Sequence, residues 1–292
     1  FTKNAGGAPA NVAAVCAKLG QPAALLTQVG QDAFGDFLIA TVKQAGVDTQ
    51  YIAQTTEGET SLAFVSLTAD GERDFLFYRK NAADLLYSSQ QLPTNLLTAH
   101  DLLHFCSVNL VDSPMKQTHK AIIEQAHAMG SLVSFDPNVR LPLWHDAEAC
   151  RQTILNFIPR AHIVKLSDEE LSFLTHIDDE QQAVQSLFQD KVQVIFVTHG
   201  AQGASLYTKQ QHVKVAAEVV QALDTTGAGD AFIGAILSML LQKNITVESL
   251  VAFCETFATP LLTFANRYAA ISTTKHGAIT SYPTLQEVPI SF

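Results

Sequence analysis

Hydrophobic and polar positions alternate in two different ways along this 292-residue chain. Apolar runs typical of buried strands occupy residues 24–29, 102–106, 132–135, 163–166 and 194–198. Helical patterns, with apolar positions three or four residues apart, occupy 34–45, 115–129, 146–158, 167–174, 229–242 and 246–268. Because strand–helix alternation builds βαβ units, we expect an α/β fold with a mostly parallel central sheet and helices on both faces.

Two neighbouring β-rich runs, 61–68 and 74–79, break this rhythm because no helix separates them. The intervening Ala-Asp-Gly-Glu at 69–72 is typical of a hairpin turn. We therefore expect a small β lid, formed mainly by about residues 57–84, outside the main sheet. A second β-rich stretch covers 204–208 and 212–216. No Pro/Gly/Ser-rich linker divides the sequence, so residues 1–292 are predicted to form a single domain.

The composition limits the classes of protein that the chain can belong to. Hydrophobic residues make up 47% and charged residues 16%, which favours a large core and argues against disorder. The net charge of −10 indicates no basic face for nucleic acid, so an anionic ligand would need local binding groups. The longest apolar run, 231–241, is shorter than the roughly 20 residues of a membrane span. We expect reduced, mostly buried thiols in a cytoplasmic protein at the four widely separated cysteines, Cys16, Cys106, Cys150 and Cys254.

The strongest motif is Asp-Thr-Thr-Gly-Ala-Gly-Asp at 224–230, which leads into an apolar helix. The small residues Gly227, Ala228 and Gly229 allow backbone N–H groups to point into one space, where the helix N-terminus adds partial positive charge. This arrangement predicts an anion hole for phosphate, with Asp230 as the base that accepts the proton of an attacking hydroxyl. The alternative is an ordinary glycine turn followed by an aspartate near a helix start.

Two other phosphate-binding patterns do not match the sequence. A P-loop requires a Gly-Lys pair followed by Ser or Thr, and no Gly-Lys pair occurs in the chain. A dinucleotide-binding fingerprint requires a third glycine three positions after Gly229, where this chain has Phe232.

A second motif, Gly-Gly-Ala-Pro-Ala-Asn, lies at 6–11. Gly6 and Gly7 allow a ligand to approach the backbone closely. Asn11 then falls on the first turn of a helix, with an amide that can both donate to and accept from sugar hydroxyls. The alternative is a helix start with proline near its first position.

Together, the two motifs resemble those of the ribokinase-like (PfkB) carbohydrate kinases, in order and over nearly the whole chain. The resemblance implies a three-layer α/β/α sandwich with a β lid over the sugar. It also implies Mg²⁺ and ATP, and a potassium site beside the anion hole. Family members carry a strand before Gly-Gly that supplies a sugar-binding aspartate, and the chain is expected to lack this first strand.

Several stretches are similar to the fructokinase branch of the family. Asp-Pro-Asn-Val-Arg at 136–140, followed by Leu-Trp, implies that Arg140 faces the phosphates or the substrate. Arg79 falls where that branch places a lid arginine that reaches the sugar. The alternative for Arg140 is a surface arginine after a turn, and the alternative for Arg79 is a solvated charge at a strand end.

The remaining site residues are implied only by matching positions in the family. Glu170, with Ser167 in place of the family's usual asparagine, corresponds to an element that holds metal-bound water and phosphate. Nucleotide contacts are implied for Lys165, Ser167, Thr198, Gly200, Gly203, Gly229 and Asn266. The positions that match the potassium site are Asp224, Thr226, Ser272, Lys275, Gly277 and Ser281.

The favoured hypothesis is a fructokinase that converts ATP and D-fructose to ADP and fructose 6-phosphate. Related kinases for ribose, 2-keto-3-deoxygluconate or aminoimidazole riboside share both motifs, so these substrates remain alternatives. A sugar- or nucleotide-binding protein without catalysis is a third. Lid strands in this family often pair across a two-fold axis, which implies a homodimer through the lid.

Overall fold

The computed structural model describes residues 3–67, 73–94 and 96–288. The strands are β1 Thr27–Gly30, β2 Ile52–Thr55, β3 Leu62–Leu67, β4 Arg73–Tyr78, β5 Leu102–Cys106, β6 Leu132–Asp136, β7 Ile163–Ser167, β8 Val194–Thr198, β9 Ala204–Tyr207 and β10 His212–Val215. The helices are α1 Ala8–Lys18, α2 Ala33–Gln44, α3 Ala83–Leu86, α4 Pro114–Met129, α5 Ala147–Phe157, α6 Asp168–Thr175, α7 Glu180–Leu187, α8 Ala228–Gln242, α9 Leu250–Thr256 and α10 Ala258–Ser272.

Within the described residues, six strands form the central sheet in the order β10-β9-β8-β7-β6-β5. Strands β5 to β8 are parallel to one another, whereas β9 and β10 run antiparallel to their neighbours. The mostly parallel sheet predicted from the strand–helix alternation is therefore confirmed. Its parallel strands place their carboxyl ends at one edge, where ligands of such folds bind.

Alternate residues of the buried strands face two separate apolar clusters. In β8, Val194 and Phe196 join a cluster built with α1, α8 and α10, whereas Ile195 and Val197 join the cluster of α4 to α7. All four side chains are buried, as expected for a strand covered on both faces. The result is the three-layer α/β/α arrangement.

Helix α1 packs closely against α8 because Gly234 lacks a side chain. A Cβ atom at Gly234 would lie only 2.7 Å from Cβ of Val15. Gly234 lies one turn after Asp230, and Val15 lies one turn after Asn11. The close approach therefore brings Asn11 and Asp230 to the same level of the helix pair.

Two small sheets lie apart from the central one, β1–β2 parallel and β3–β4 antiparallel. In the second, Leu62 pairs with Tyr78 and Phe64 with Leu76. The two strands predicted for the hairpin are thus present and paired, while the predicted turn at 69–72 lies outside the described residues. Phe64, Leu76 and Tyr78 are exposed, which leaves an apolar surface on this sheet.

The predicted helix over 246–268 was wrong, because the chain forms α9 and α10 with a break at Phe257. Pro260 explains the break, since it has no N–H to donate to the carbonyl of Thr256 and its ring obstructs that carbonyl. Helix α7 was missed because its sequence is mostly polar. The predicted strand 24–29 begins late, at Thr27, and Ala24 forms only an isolated bridge with Asp48.

The four cysteines are free and buried, as predicted. No helix in residues 3–67, 73–94 and 96–288 combines the length and the apolarity that crossing a membrane requires.

Candidate active site

A cleft of about 340 Å³ opens where the carboxyl ends of β6, β7 and β8 meet the N-terminus of α8. Of the residues predicted for the site, it is lined by Arg140, Lys165, Ser167, Glu170, Thr198, Gly200, Gly227, Ala228, Gly229 and Asp230. A larger hollow of about 560 Å³ lies at the amino ends of β7 and β8, and contains none of the predicted residues. The predicted site residues are therefore gathered at the smaller cleft.

The start of α8 forms the floor of the cleft. Gly227 precedes the helix with φ of 78°, and a Cβ there would meet the hydroxyl of Tyr282 at 2.3 Å. That hydroxyl donates to the carbonyl of Gly227 at 3.1 Å and fixes the turn. The Ala228 N–H donates to the carbonyl of Thr225, whereas the N–H groups of Gly227 and Gly229 find no acceptor within the described residues. Two of the three predicted donors are therefore available to an anion.

Asp230 lies in the first turn of α8 and is 6% exposed. Its Oδ2 accepts a hydrogen bond from Nδ2 of Asn11 at 2.8 Å, and its Oδ1 accepts one from Nδ2 of Asn138 at 3.3 Å. Burial and the nearby Asp136 carboxylate raise the pKa of Asp230 to about 6, although Asn11, Lys165 and Arg140 oppose the rise. A carboxylate with this pKa is suited to accept a proton near neutral pH.

The other end of the Asn11 amide is unpaired. Its Oδ1 is buried and has no hydrogen-bond partner, and it cannot exchange places with Nδ2 without facing the Asp230 carboxylate. Close by in sequence, Gly6 and Gly7 have open space where a Cβ would lie, and Gly7 has φ of 112°. A buried acceptor and an accessible backbone next to the base fit a hydroxyl-bearing ligand.

Lys165 and Asp136 form a buried ion pair at the carboxyl ends of adjacent strands. Nζ of Lys165 lies 3.1 Å from Oδ2 of Asp136, and their side chains are 7% and 0% exposed. Burial alone would lower the pKa of Lys165, but the Asp136 and Glu170 carboxylates raise it above its ordinary value. The ammonium also approaches α8, since a Cβ at Gly229 would lie 3.0 Å from it.

Glu170 connects two elements of the cleft. Its Oε2 accepts from the N–H of Ser167, whose hydroxyl caps the N-terminus of α6 by accepting from Glu170 N–H. Its Oε1 accepts from the N–H of Val139 at 2.7 Å, which holds the loop that presents Arg140. The match to the family implied that Glu170 holds metal-bound water. These contacts give Glu170 a second role, in the cap of α6.

Four residues predicted to contact nucleotide are placed differently from one another. Thr198 and Gly200 line the cleft, and Gly200 has open space at its Cβ position. Gly203 instead packs against backbone, because a Cβ there would meet the carbonyl oxygen of Val215 at 2.1 Å. Asn266 donates to that same carbonyl at 3.0 Å. Neither Gly203 nor Asn266 lines the cleft.

Arg79 lies at the base of the β3–β4 sheet and not among the residues that line the cleft. Its guanidinium pairs with the Asp84 carboxylate and donates to Oδ1 of Asn109 and to the carbonyl of Val108. These contacts tie the sheet to α3 and to the segment after β5.

The predicted potassium-site residues are only partly brought together. The Asp224 carboxylate accepts from the N–H of Thr226 at 2.9 Å and from the N–H of Gly277 at 3.0 Å, which joins the two loops. The hydroxyls of Ser272 and Ser281 bond to carbonyls of their own segments. Lys275 pairs with Glu287 at 3.5 Å.

Sequence reasoning did not assign roles to Asp136 and Asn138. Asn138 has φ of 45°, a conformation that asparagine tolerates, and its N–H donates to Oδ1 of Asp136 at 3.1 Å. Asp-Pro-Asn directly after a buried strand was the available signal, because the carboxyl end of a parallel strand is where ligands bind.

Comparisons with known proteins identify the family of the chain. A model of the pfkB family carbohydrate kinases matches residues 1–285. Fructokinase-1 of Zea mays is 40% identical over 289 residues, which cover 99% of this chain and 88% of the maize protein. The structure of fructokinase from Xylella fastidiosa with bound ATP has a TM-score of 0.92 and 36% identity, covering 99% of this chain and 90% of that one. The Vibrio cholerae O395 fructokinase in its fructose-, ADP- and calcium-bound form gives 0.86 and 32%, covering 99% and 91%. The chain therefore belongs to the pfkB family of carbohydrate kinases.

Proposed function

We infer that this protein is an ATP-dependent sugar kinase whose substrate is D-fructose, giving ADP and fructose 6-phosphate. The observation that carries the inference is Asp230, a buried carboxylate in the first turn of a helix at whose start the N–H groups of Gly227 and Gly229 have no acceptor in the described residues. The identity of 40% to a maize fructokinase favours fructose over the other sugars.

Asp230 would act as the general base. The primary hydroxyl of the sugar would donate to Asp230 and lose its proton to the carboxylate, while a second sugar hydroxyl would donate to the unpaired Oδ1 of Asn11. Its oxygen would form a bond to the γ-phosphorus while the bond from that phosphorus to ADP breaks. The amides of Asn11 and Asn138 orient both carboxylate oxygens during the transfer.

The transferred phosphoryl group needs stabilisation of its negative charge. The available donors are the N–H groups of Gly227 and Gly229 and the cations Lys165 and Arg140, all of which line the cleft. ATP would enter along Thr198 and Gly200, on the β8 side.

A magnesium ion would arrive with the ATP phosphates. In the part of the chain that the structure describes, no three His, Cys, Asp or Glu side chains are grouped to hold a metal by themselves. The cleft carboxylates Asp168, Glu169 and Glu170 fit a hydrated Mg²⁺ bound mainly by phosphate, the usual arrangement in kinases. The ion would neutralise charge on the phosphates.

A monovalent cation is proposed beside the anion hole, between the loops that Asp224 joins through Thr226 and Gly277. Exchange of K⁺ for Na⁺ at constant ionic strength should lower kcat, and equal rates in both salts would refute this site. Four buried free thiols suit a reducing compartment, which favours the cytoplasm.

We also propose that the β3–β4 sheet serves as a lid and as a dimer contact. A two-stranded sheet is marginally stable alone, and the exposed Phe64, Leu76 and Tyr78 would be covered by a second copy. Sedimentation equilibrium should give twice the mass of the chain. A monomer at micromolar concentration would refute the dimer and leave the catalytic proposal intact.

The central test is coupled ADP release with fructose, ribose, 2-keto-3-deoxygluconate and aminoimidazole riboside. We expect the largest kcat/KM with fructose and almost none in Asp230→Asn. A larger value with another sugar would replace fructose as the substrate. Calorimetric sugar binding without ADP release would identify a binding protein instead.

A further inference from the structure

The ion pair between Asp136 and Lys165 is buried. Both side chains are almost entirely removed from water, and Oδ2 of Asp136 has no hydrogen bond beyond its 3.1 Å approach to Lys165. Replacing a buried ion pair by apolar residues is often neutral or stabilising, so stability alone does not account for this one.

The Lys165 ammonium also lies beside a helix N-terminus. Lys165 Nζ lies 3.0 Å from the Cβ position of Gly229, in the first turn of α8. A helix N-terminus carries partial positive charge, so a cation there is unfavourable unless an anion joins them. The N–H groups of Gly227 and Gly229 face no acceptor in the described residues, which leaves the same place ready for a negative group.

Asp136 also shapes the neighbouring turn. Its Oδ1 accepts from the N–H of Asn138, and the Asn138 amide in turn donates to Asp230. One carboxylate thus contacts both the cation at the anion hole and the residue that orients the base. The register supports this arrangement, because Phe135 pairs with Val164 immediately before the two charged residues.

We propose that Asp136 is a positioning residue for phosphoryl transfer: it holds the Lys165 ammonium at the start of α8 and keeps a second negative charge beside Asp230. The first effect adds a full positive charge where the transferred phosphoryl group collects negative charge. The second makes Asp230 more basic. The proposal rests on the kinase function inferred above and adds a role for Asp136, to which that function alone assigns none.

The groups around Asp230 define the pH effect. Burial is the largest cause that raises the pKa of Asp230, and the charge of Asp136 is the second largest. Lys165 and Arg140 lower this pKa. Cys106 and Tyr282 also lie within electrostatic reach, but burial raises the pKa of each, so both are neutral near pH 7. Removing the Asp136 charge should therefore move the acid limb of kcat/KM to lower pH.

The test compares Asp136→Asn, the double variant Asp136→Asn/Lys165→Met and the control Glu148→Gln, which breaks an exposed pair with Arg151. Asp136→Asn keeps an oxygen for the Asn138 N–H, removes the charge and replaces the oxygen that faces Lys165 by an amide nitrogen. We expect the single and double variants to lower kcat and weaken ATP binding by about 10- to 100-fold, the loss typical of a charged hydrogen bond. The acid limb should move down in Asp136→Asn, and the control should match wild type.

Two results would overturn the proposal. In the first, Asp136→Asn loses thermal stability while its acid limb of kcat/KM and its ATP affinity stay as in wild type. Asp136 would then have a structural role only. The other is a double variant with wild-type kcat and ATP affinity. ATP affinity is measured by calorimetry without sugar, so it tests Asp136 even if wild type phosphorylates none of the sugars, the result that would refute the kinase function itself.

Discussion

The Asn11 amide donates a 2.8 Å hydrogen bond to Oδ2 of Asp230, which follows it by 219 residues. This contact joins the glycine-rich motif at the start of the chain to the one near its end. The Asn11 side chain therefore serves the base through its nitrogen and is available to a substrate hydroxyl through its oxygen.

Replacing Asn11 by alanine should impair the base in two ways. The hydrogen bond that stabilises ionised Asp230 is lost, so the pKa of Asp230 should rise above its value of about 6 and the acid limb of kcat/KM should move to higher pH. The lost substrate contact should lower kcat/KM for fructose by about 10- to 100-fold. The measurement is a pH–rate profile, with the exposed Gln152→Ala on α5 as control. An acid limb that stays in place would contradict the assigned contact.

Asp230 should also make the stability of the fold depend on pH. Its pKa is about 6 in the folded protein against an ordinary 3.8, so the folded state binds the proton more tightly than the unfolded state. Its contribution is therefore most favourable below pH 4 and is lost as pH rises through 6, by about 3 kcal/mol in total. Urea unfolding of wild type and Asp230→Asn at several pH values measures this loss. The free energy of unfolding of wild type should fall relative to that of Asp230→Asn as pH rises from 4 to above 6. A difference that stays constant with pH would contradict the raised pKa of Asp230.

Gly234→Ala should separate α1 from α8. The new Cβ would lie 2.7 Å from Cβ of Val15, and overpacking of this kind costs about 1–3 kcal/mol. Asn11 would then be displaced from Asp230, so kcat should fall as well. The double variant Val15→Ala/Gly234→Ala should be more stable than the sum of the two single effects predicts. Strict additivity in urea unfolding would show that the two residues are not in contact.

Glu170→Gln should weaken the loop and the helix that Glu170 joins. The carboxamide has one oxygen for two N–H donors, those of Ser167 and Val139, so one donor loses its partner. We expect a loss of about 1–2 kcal/mol in the free energy of unfolding. Glu169→Gln in the same turn is the matched control, because its carboxylate bonds to no backbone N–H in the described part of the chain. Equal losses in both variants would contradict the capping role.

The strand–helix alternation predicted the sheet and most helices because their apolar periods were long. Helix α7 was missed since Glu-Gln-Gln-Ala-Val-Gln-Ser-Leu contains few apolar residues. Helices α9 and α10 were predicted as one because their apolar pattern is continuous, although Pro260 interrupts the helical hydrogen bonds. The apolar pattern alone does not show whether a proline will end a helix.

The candidate site was predictable where small residues determine backbone geometry, as at Gly227 and Gly229. Contacts between distant side chains were not. Asp136 and Lys165 meet because β6 and β7 are neighbours in register, and a motif read along the chain contains no information on register. Gly203 and Asn266 matched the family pattern, yet the structure gives them packing and backbone contacts around Val215.

The packing of Val15 against Gly234 has a consequence for how activity appears during refolding. Contacts between residues so far apart in sequence close a very large loop, and such contacts slow the formation of native structure. Helices α1 and α8 can each form locally in far less time than they need to pack against each other. The circular dichroism signal should therefore recover before ADP release does, with the delay set by the docking of α1 against α8.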